Sequence, residues 1–455
     1  MSQSPSLKHK IVVTRNLGPD VMPILEGRTE IDLVVWPEDR ACDREWLLRN
    51  ATGAAALVIM VSDKIDAEVL DAAGPGLRAV STMSVGYEHV DVQELAKRSI
   101  ALGYTPDVLT EAVADVCIML ALMAGRNAKQ TSALVNEGNW PQFSWAPFLF
   151  CGPQLSAPSP SRQRTAGFIG FGRIAKATLA RLVPFGFTRC VYGANPHSTR
   201  QGSNDDSDKE LADRLGLTSV RRVDLDTVAS ESDVVFVLAP GGPSTYHVVN
   251  EEFLRKMKKM GVLVNASRGT LVDSDALAKV LKEGGIWAAG LDVVEGEPNI
   301  PADHPLVREP RCVILPHIGS ATNETWVDMA SLAANNALAA ALGEPMPCAL
   351  RCLPQPATSQ VTDGTEVSRD RTIFGFVRQS WISKANKQLP MGNTCCYTLP
   401  ESAFTSHSPD VQTPDFGALS LHPRGPVSLR ANHPNLTPGQ RTHHDAVLDH
   451  HISQA

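Results

Sequence analysis

The stretch Thr165–Leu182 reads TAGFIGFGRIAKATLARL, and it decides the fold. Ala166–Ile169 is a short apolar run of strand type, and Lys176–Leu182 carries a helical pattern. Between them lies Gly170-Phe171-Gly172-Arg173-Ile174-Ala175. Gly170 permits a tight turn, Gly172 lets backbone approach a pyrophosphate, and Ala175 takes the third small position, where helix and strand pack closely. Phosphates would rest against the helix N-terminus, whose N–H groups and partial positive charge favour anions. A glycine pattern of this kind is weak alone. Its place between a strand and a helix makes it a dinucleotide loop.

Working outward, the same βα rhythm continues on the C-terminal side. Arg189–Tyr192, Asp233–Leu238, Gly261–Asn265, Ala288–Val293 and Cys312–Leu315 are strand-like, with helical stretches such as Asp275–Glu283 between several of them. This series implies a Rossmann-type, doubly wound parallel sheet. On the N-terminal side, Ile11–Thr14, Ala56–Val61, Leu77–Ser81 and Ile100–Gly103 alternate with helical patterns at Asp66–Ala73 and Val92–Lys97. A second α/β layer with a parallel sheet follows from that alternation. Glu111–Arg126 reads as a mostly buried helix, and Ser156–Arg164 (SAPSPSRQR) as a surface loop. Residues 351–455 are rich in Pro, Ser, Thr and His, with one weak helical stretch at Arg371–Lys387. We expect that tail to be largely disordered, because it has little apolar surface to offset its ordering entropy.

Composition narrows the function classes. The chain has 455 residues, 43% hydrophobic and 20% charged, with a formal charge of −7. This is ordinary for a soluble globular protein and offers no clustered basic face for nucleic acid. No apolar run is long enough for a membrane span, and Met1–Lys10 does not read as a secretory signal. The nine cysteines form neither a disulfide framework nor a zinc-ligand pair, so a cytoplasmic protein without a metal is expected.

Three polar residues fall just after predicted strands: Arg268 in NASRG, Glu297 in GLDVVEGEP and His317 in LPHIGS. Ligands of open α/β sheets bind beyond the carboxyl ends of the strands, so all three would face one crevice. An arginine grips a carboxylate through two parallel hydrogen bonds. A histidine can deliver a proton near neutral pH, and a neighbouring carboxylate favours its protonated form. Together they supply what reduction of a 2-oxo acid needs beside a hydride donor. Taken singly, Arg268 reads as a solvated loop cation, Glu297 as a helix cap and His317 as a structural histidine. After the second strand of the nucleotide unit no acid precedes Asp205, whereas Asn195, Ser198 and Arg200 could take a 2′-phosphate. NADP(H) is therefore favoured, with NAD(H) as the alternative.

These motifs resemble those of the D-2-hydroxyacid dehydrogenases. GFGRIAKA is similar to their cofactor loop, NASRGTLVD to their arginine motif, GLDVVEGEP to their glutamate motif and LPHIGSAT to their histidine motif. STMSVGYEHVD (Ser81–Asp91), GYTPDVLTEAVAD (Gly103–Asp115) and SLAANNALAAALGEPMP (Ser331–Pro347) resemble the glyoxylate/hydroxypyruvate reductases in particular. The resemblance spans roughly residues 8–350. It implies reduction of glyoxylate to glycolate and of hydroxypyruvate to D-glycerate. The Val85–Gly86 loop would present backbone N–H groups to the substrate carboxylate. Arg268 would bind carboxylate and carbonyl, Glu297 raise the histidine pKa, and His317 donate the proton. Glu295 is a competing acid, but the Glu-Pro dipeptide carries the family role, which selects Glu297. Asp292 would lie beside the nicotinamide, and Gly170, Phe171, Gly172, Arg173, Ile174, Pro240, Ala266 and Gly319 along the cofactor.

The resemblance also implies two lobes: a discontinuous, flavodoxin-like substrate domain (1–106 with 322–350) and a cofactor domain (107–321). Hinge crossings fall near Thr105–Leu109 and Ala321–Trp326. A homodimer is expected, with Trp145 reaching the neighbouring subunit's active site. The Ser156–Arg164 loop is longer than the family pattern, and the 351–455 tail has no counterpart in the reductases. Two other readings stand beside this one: a dinucleotide-sensing corepressor like the C-terminal-binding proteins, and a D-2-hydroxyacid dehydrogenase with another substrate. Formate dehydrogenases are disfavoured, since they carry glutamine where Glu297 stands.

Overall fold

Buried apolar runs set the strands. The computed structural model describes residues 8–143, 150–155, 163–193 and 205–350. Among them are β1 (His9–Val13), β2 (Ile31–Val35), β3 (Ala54–Ile59), β4 (Ala79–Thr82), β5 (Ala101–Gly103), β6 (Arg164–Ile169), β7 (Phe187–Gly193), β8 (Ser219–Val223), β9 (Val234–Val237), β10 (Val262–Asn265), β11 (Ala288–Leu291), β12 (Cys312–Ile314) and β13 (Ala349–Leu350). Every residue of β3, β4, β6, β9, β10 and β11 is buried. That is the signature of parallel strands covered by helices on both faces.

The strands form two sheets. One runs β12-β11-β10-β9-β6-β7-β8, with all its pairs parallel. The chain starts at its centre with β6, winds outward to β8, then crosses to β9 and winds outward the other way. This is the Rossmann pattern, and the order reverses between β6 and β9. The other sheet runs β13-β5-β4-β3-β1-β2, parallel except for the antiparallel β13–β5 pair. Its first five strands follow the flavodoxin-like order, which reverses between β1 and β3.

Two long helices knit the layers. Thr110–Gly125 leaves the end of β5 and packs on β10 and β11. Asn323–Leu342 returns to cover β1, β3 and β4 of the other sheet. Its buried face is mostly alanine, which lets helix and sheet approach closely. Asn336 is fully buried on that face, where its amide donates to the Tyr104 carbonyl (3.3 Å) and accepts from the Cys348 N–H (2.8 Å). These two bonds tie the helix to the backbone just after β5 and just before β13.

Several sequence expectations need correction. Arg164 is not loop but the buried first residue of β6. Strand β11 ends at Leu291, so Asp292 and Val293 lie beyond it. The edge strands β2, β8 and β13 had no expectation at all. Edge positions tolerate charge and brevity, as in the SVRRV of β8, and so lose the apolar pattern of central strands. The expectations at Trp145, Asn195, Ser198 and Arg200, most of the 156–164 loop, and the tail beyond 350 all lie outside the described residues.

Candidate active site

The glycine loop is built as a cradle. Gly170 has φ +87°, and a Cβ there would sit 2.7 Å from the Ala239 backbone. No side chain could occupy that turn without moving β9's end. Gly172 faces open space, with no atom within 4 Å of an added Cβ. It opens the helix Arg173–Leu182, whose N-terminus has no side-chain cap, while Ala175 is fully buried against the sheet. Uncapped N–H groups beside open space at the β6/β9 reversal fit a dinucleotide pyrophosphate. Arg173 in this loop pairs with Asp107, Nε to Oδ1 at 2.7 Å.

Three neighbouring strands deliver the polar residues. Arg268 follows β10, Glu297 follows β11 and His317 follows β12, all at carboxyl ends. His317 Nδ1 lies 2.8 Å from Glu297 Oε1. The other oxygen, Oε2, accepts the Val294 N–H at 3.1 Å, which fixes the carboxylate. The hydrogen bond from the ring to Glu297 raises the His317 pKa above its ordinary value of 6.5, against the opposing effect of burial. With Nδ1–H donated to the carboxylate, Nε2 is the nitrogen left to exchange a proton with a ligand.

Asp292 supports the same loop from below. Its carboxylate accepts the Ile318 and Gly319 N–H groups, both at 2.8 Å, and its carbonyl accepts the His317 N–H at 2.8 Å. These bonds hold His317 in a left-handed backbone conformation, φ +54°. Burial pushes the Asp292 pKa up, opposed by the two amides. Glu295 points elsewhere. It bonds His247 Nε2 at 2.9 Å and the Tyr246 hydroxyl at 3.2 Å, with the Tyr246 and His247 rings stacked 3.8 Å apart. Two carboxylates two residues apart thus have separate partners.

The loop after β4 meets Arg268 from the other sheet. A Cβ on Gly86 would fall 1.5 Å from Arg268 Nη2, so glycine is required for the guanidinium to lie on this backbone. The loop is braced beneath: Ser84 Oγ bonds the Gly86 carbonyl (2.6 Å) and Thr82 Oγ1 (2.7 Å), and His89 Nε2 bonds Thr82 Oγ1 (2.9 Å). Val85 is half-buried in the same turn. Arg268 donates from Nε and Nη2 to Glu88, a residue that sequence reading passed over. Glu88 lies 180 positions from Arg268, and no local pattern pairs residues at that separation. Pro240 and Ala266 stand just past β9 and β10, at the same rim.

Comparison with known proteins identifies relatives of the chain. Residues 118–319 match the family model of the D-isomer specific 2-hydroxyacid dehydrogenase NAD binding domain. The chain is 39% identical over 342 residues to the human glyoxylate reductase/hydroxypyruvate reductase, covering 75% of this chain and 98% of that protein. It is 40% identical over 341 residues to a glyoxylate reductase of Thermofilum pendens, covering 75% and 94%. Among solved structures it resembles the NADPH-dependent glyoxylate/hydroxypyruvate reductase of Sinorhizobium meliloti in complex with NADP and malonate. That match has a TM-score of 0.59 and 30% identity, over 76% of this chain and 98% of that one.

Proposed function

The chain belongs to the D-isomer specific 2-hydroxyacid dehydrogenases, and from that premise we propose that it reduces glyoxylate to glycolate and hydroxypyruvate to D-glycerate, preferring NADPH. The observation that carries the reading is that Arg268 and a Glu297-bonded His317 stand at the carboxyl ends of the successive strands β10, β11 and β12. The nicotinamide cofactor, when bound, supplies the hydride. Gly170–Ile174 hold its pyrophosphate, with Pro240, Ala266, Asp292 and Gly319 along its length. Arg268 and the Val85–Gly86 backbone N–H groups grip the substrate carboxylate, a reading supported by the close approach of the Arg268 guanidinium to Gly86. His317 Nε2 gives its proton to the substrate oxygen as negative charge builds there, and Glu297 stabilises the imidazolium beforehand. Asp292 keeps the histidine loop in place.

The preference for NADPH rests on the missing acid after β7 and on Asn195, Ser198 and Arg200 in its place. The enzyme works as a cytoplasmic homodimer. In support, the described cysteines are all free thiols, and Met119, Val135 and Trp140 expose apolar surface on successive helical segments. Among the described residues no helix is long and apolar enough to cross a membrane. The deciding measurement is kcat/KM for glyoxylate, hydroxypyruvate and pyruvate, each with NADPH and NADH. We expect the first two substrates and NADPH to lead. A clear preference for NADH overturns the cofactor reading, and a preference for pyruvate overturns the substrate reading.

A further inference from the structure

The guanidinium of Arg268 is held on two of its edges. Nε and Nη2 both donate to Glu88 Oε2, at 3.2 and 3.1 Å, and Nη1 donates to the Ser267 carbonyl at 2.8 Å. A guanidinium has five N–H donors in one rigid plane. Three are engaged here. One N–H remains on each Nη, and neither has a partner among the described residues. Nη1 and Nη2 together form the end-on edge of the group, which matches the two oxygens of a carboxylate.

The Arg268–Glu88 pair lies between two glycines at a partly open rim, with the Arg268 side chain 29% exposed and that of Glu88 45% exposed. Gly86 leaves room for Nη2 on one side. On the other, a Cβ at Gly241 would meet Arg268 Cγ at 3.1 Å and Glu88 Oε1 at 3.4 Å. Glu88 itself rides on a stiff base, since the adjacent His89 is anchored to Thr82. Glu88 thus reaches from the β4 loop of one sheet to a side chain carried by β10 of the other.

We propose that Glu88 is a positioning residue for substrate binding: it fixes the plane of Arg268 across the two sheets, so that the end-on edge faces the 2-oxo acid carboxylate. This rests on the reading of Arg268 as the carboxylate anchor. Losing Glu88 frees the guanidinium to turn its side edge to the ligand or away from it, and the cost falls on binding of the oxo acid.

The test is a double-substitution cycle on the full chain, read as KM and kcat for glyoxylate with NADPH saturating. We expect Glu88→Ala to raise the glyoxylate KM roughly tenfold, with a smaller change in kcat and none in the NADPH KM. Glu88→Gln keeps an acceptor at the same place and should fall between wild type and Glu88→Ala. In an Arg268→Ala background, adding Glu88→Ala should change KM by less than about twofold, because the two residues act as one unit. Thermal melting of each variant separates this from a folding defect, since positioning predicts the KM shift at an unchanged midpoint. A glyoxylate KM that is unmoved or lowered by Glu88→Ala overturns the inference, as does a full effect persisting without Arg268. If Arg268→Ala itself leaves KM unchanged, the anchor reading falls first, and this inference with it.

Discussion

At the scale of single residues, the proton on His317 is the quantity to follow. Its bond to Glu297 raises its pKa above 6.5, so the imidazolium persists to higher pH than in a free histidine. On the proposed mechanism, reduction consumes that proton. Turnover is therefore full below the His317 pKa and is lost as pH rises through it. Glu297→Gln keeps the shape and removes the charge, so the decline should move to lower pH, toward the ordinary histidine range near 6.5. A pH profile of kcat/KM checks this, and an unmoved decline counts against the pair. His317→Ala should lower kcat by about 100- to 10,000-fold, as expected for a lost general acid, with NADPH binding little changed. Near-normal turnover in that variant would remove His317 as the donor. The sequence displayed both residues, because each sits in a recognisable motif directly after an apolar run. Glu88 was silent for the opposite reason. Its partner lies on another sheet, and its own neighbours Tyr87 and His89 give no hint of a charge to be met.

At the scale of elements, the turn from β6 into Arg173–Leu182 is a tightly constrained piece of backbone in the proposed cofactor site. Gly170→Ala would put a side chain at φ +87° and drive its Cβ into the Ala239 backbone. Non-glycine residues in such conformations cost about 1–3 kcal/mol each, before any clash. We expect a lower melting temperature and NADPH binding weakened by at least roughly tenfold, the latter because the shifted loop misplaces the helix N-terminus. Fluorescence titration with NADPH measures it, and wild-type affinity would show that the loop tolerates the shift. Central elements such as β6, β9 and β10 were legible because strands buried on both faces must be apolar throughout. The edge strand β2 is only half-buried, with Asp32 exposed, and β13 has two residues. What makes them strands is the neighbour they pair with, and a local pattern does not contain that neighbour.

At the scale of the whole molecule, the contact of Arg268 with Gly86 and Glu88 depends on two sheets meeting, and residues 8–350 hold both. The curated relatives match about three quarters of this chain while being covered over 94–98% of their own length. A chain truncated after Leu350 should accordingly be a soluble, active dimer, as size-exclusion chromatography and a glyoxylate assay will show. Loss of either property would mean that the 351–455 segment packs on the enzyme. The sequence by itself determined the two α/β layers, the glycine loop, and the three motifs that carry Arg268, Glu297 and His317. These are encoded in runs of fewer than twenty residues, within which turn chemistry, strand burial and helix starts are local matters. Only the tertiary structure decided that Glu295 turns to His247 and Tyr246, that Gly86 must be bare for Arg268 to lie on it, and that Glu88 closes on the same guanidinium. Each of those depends on which side chain a loop turns inward and on what a distant strand brings opposite it. A linear pattern carries neither, because such contacts are fixed by packing between elements far apart in the chain.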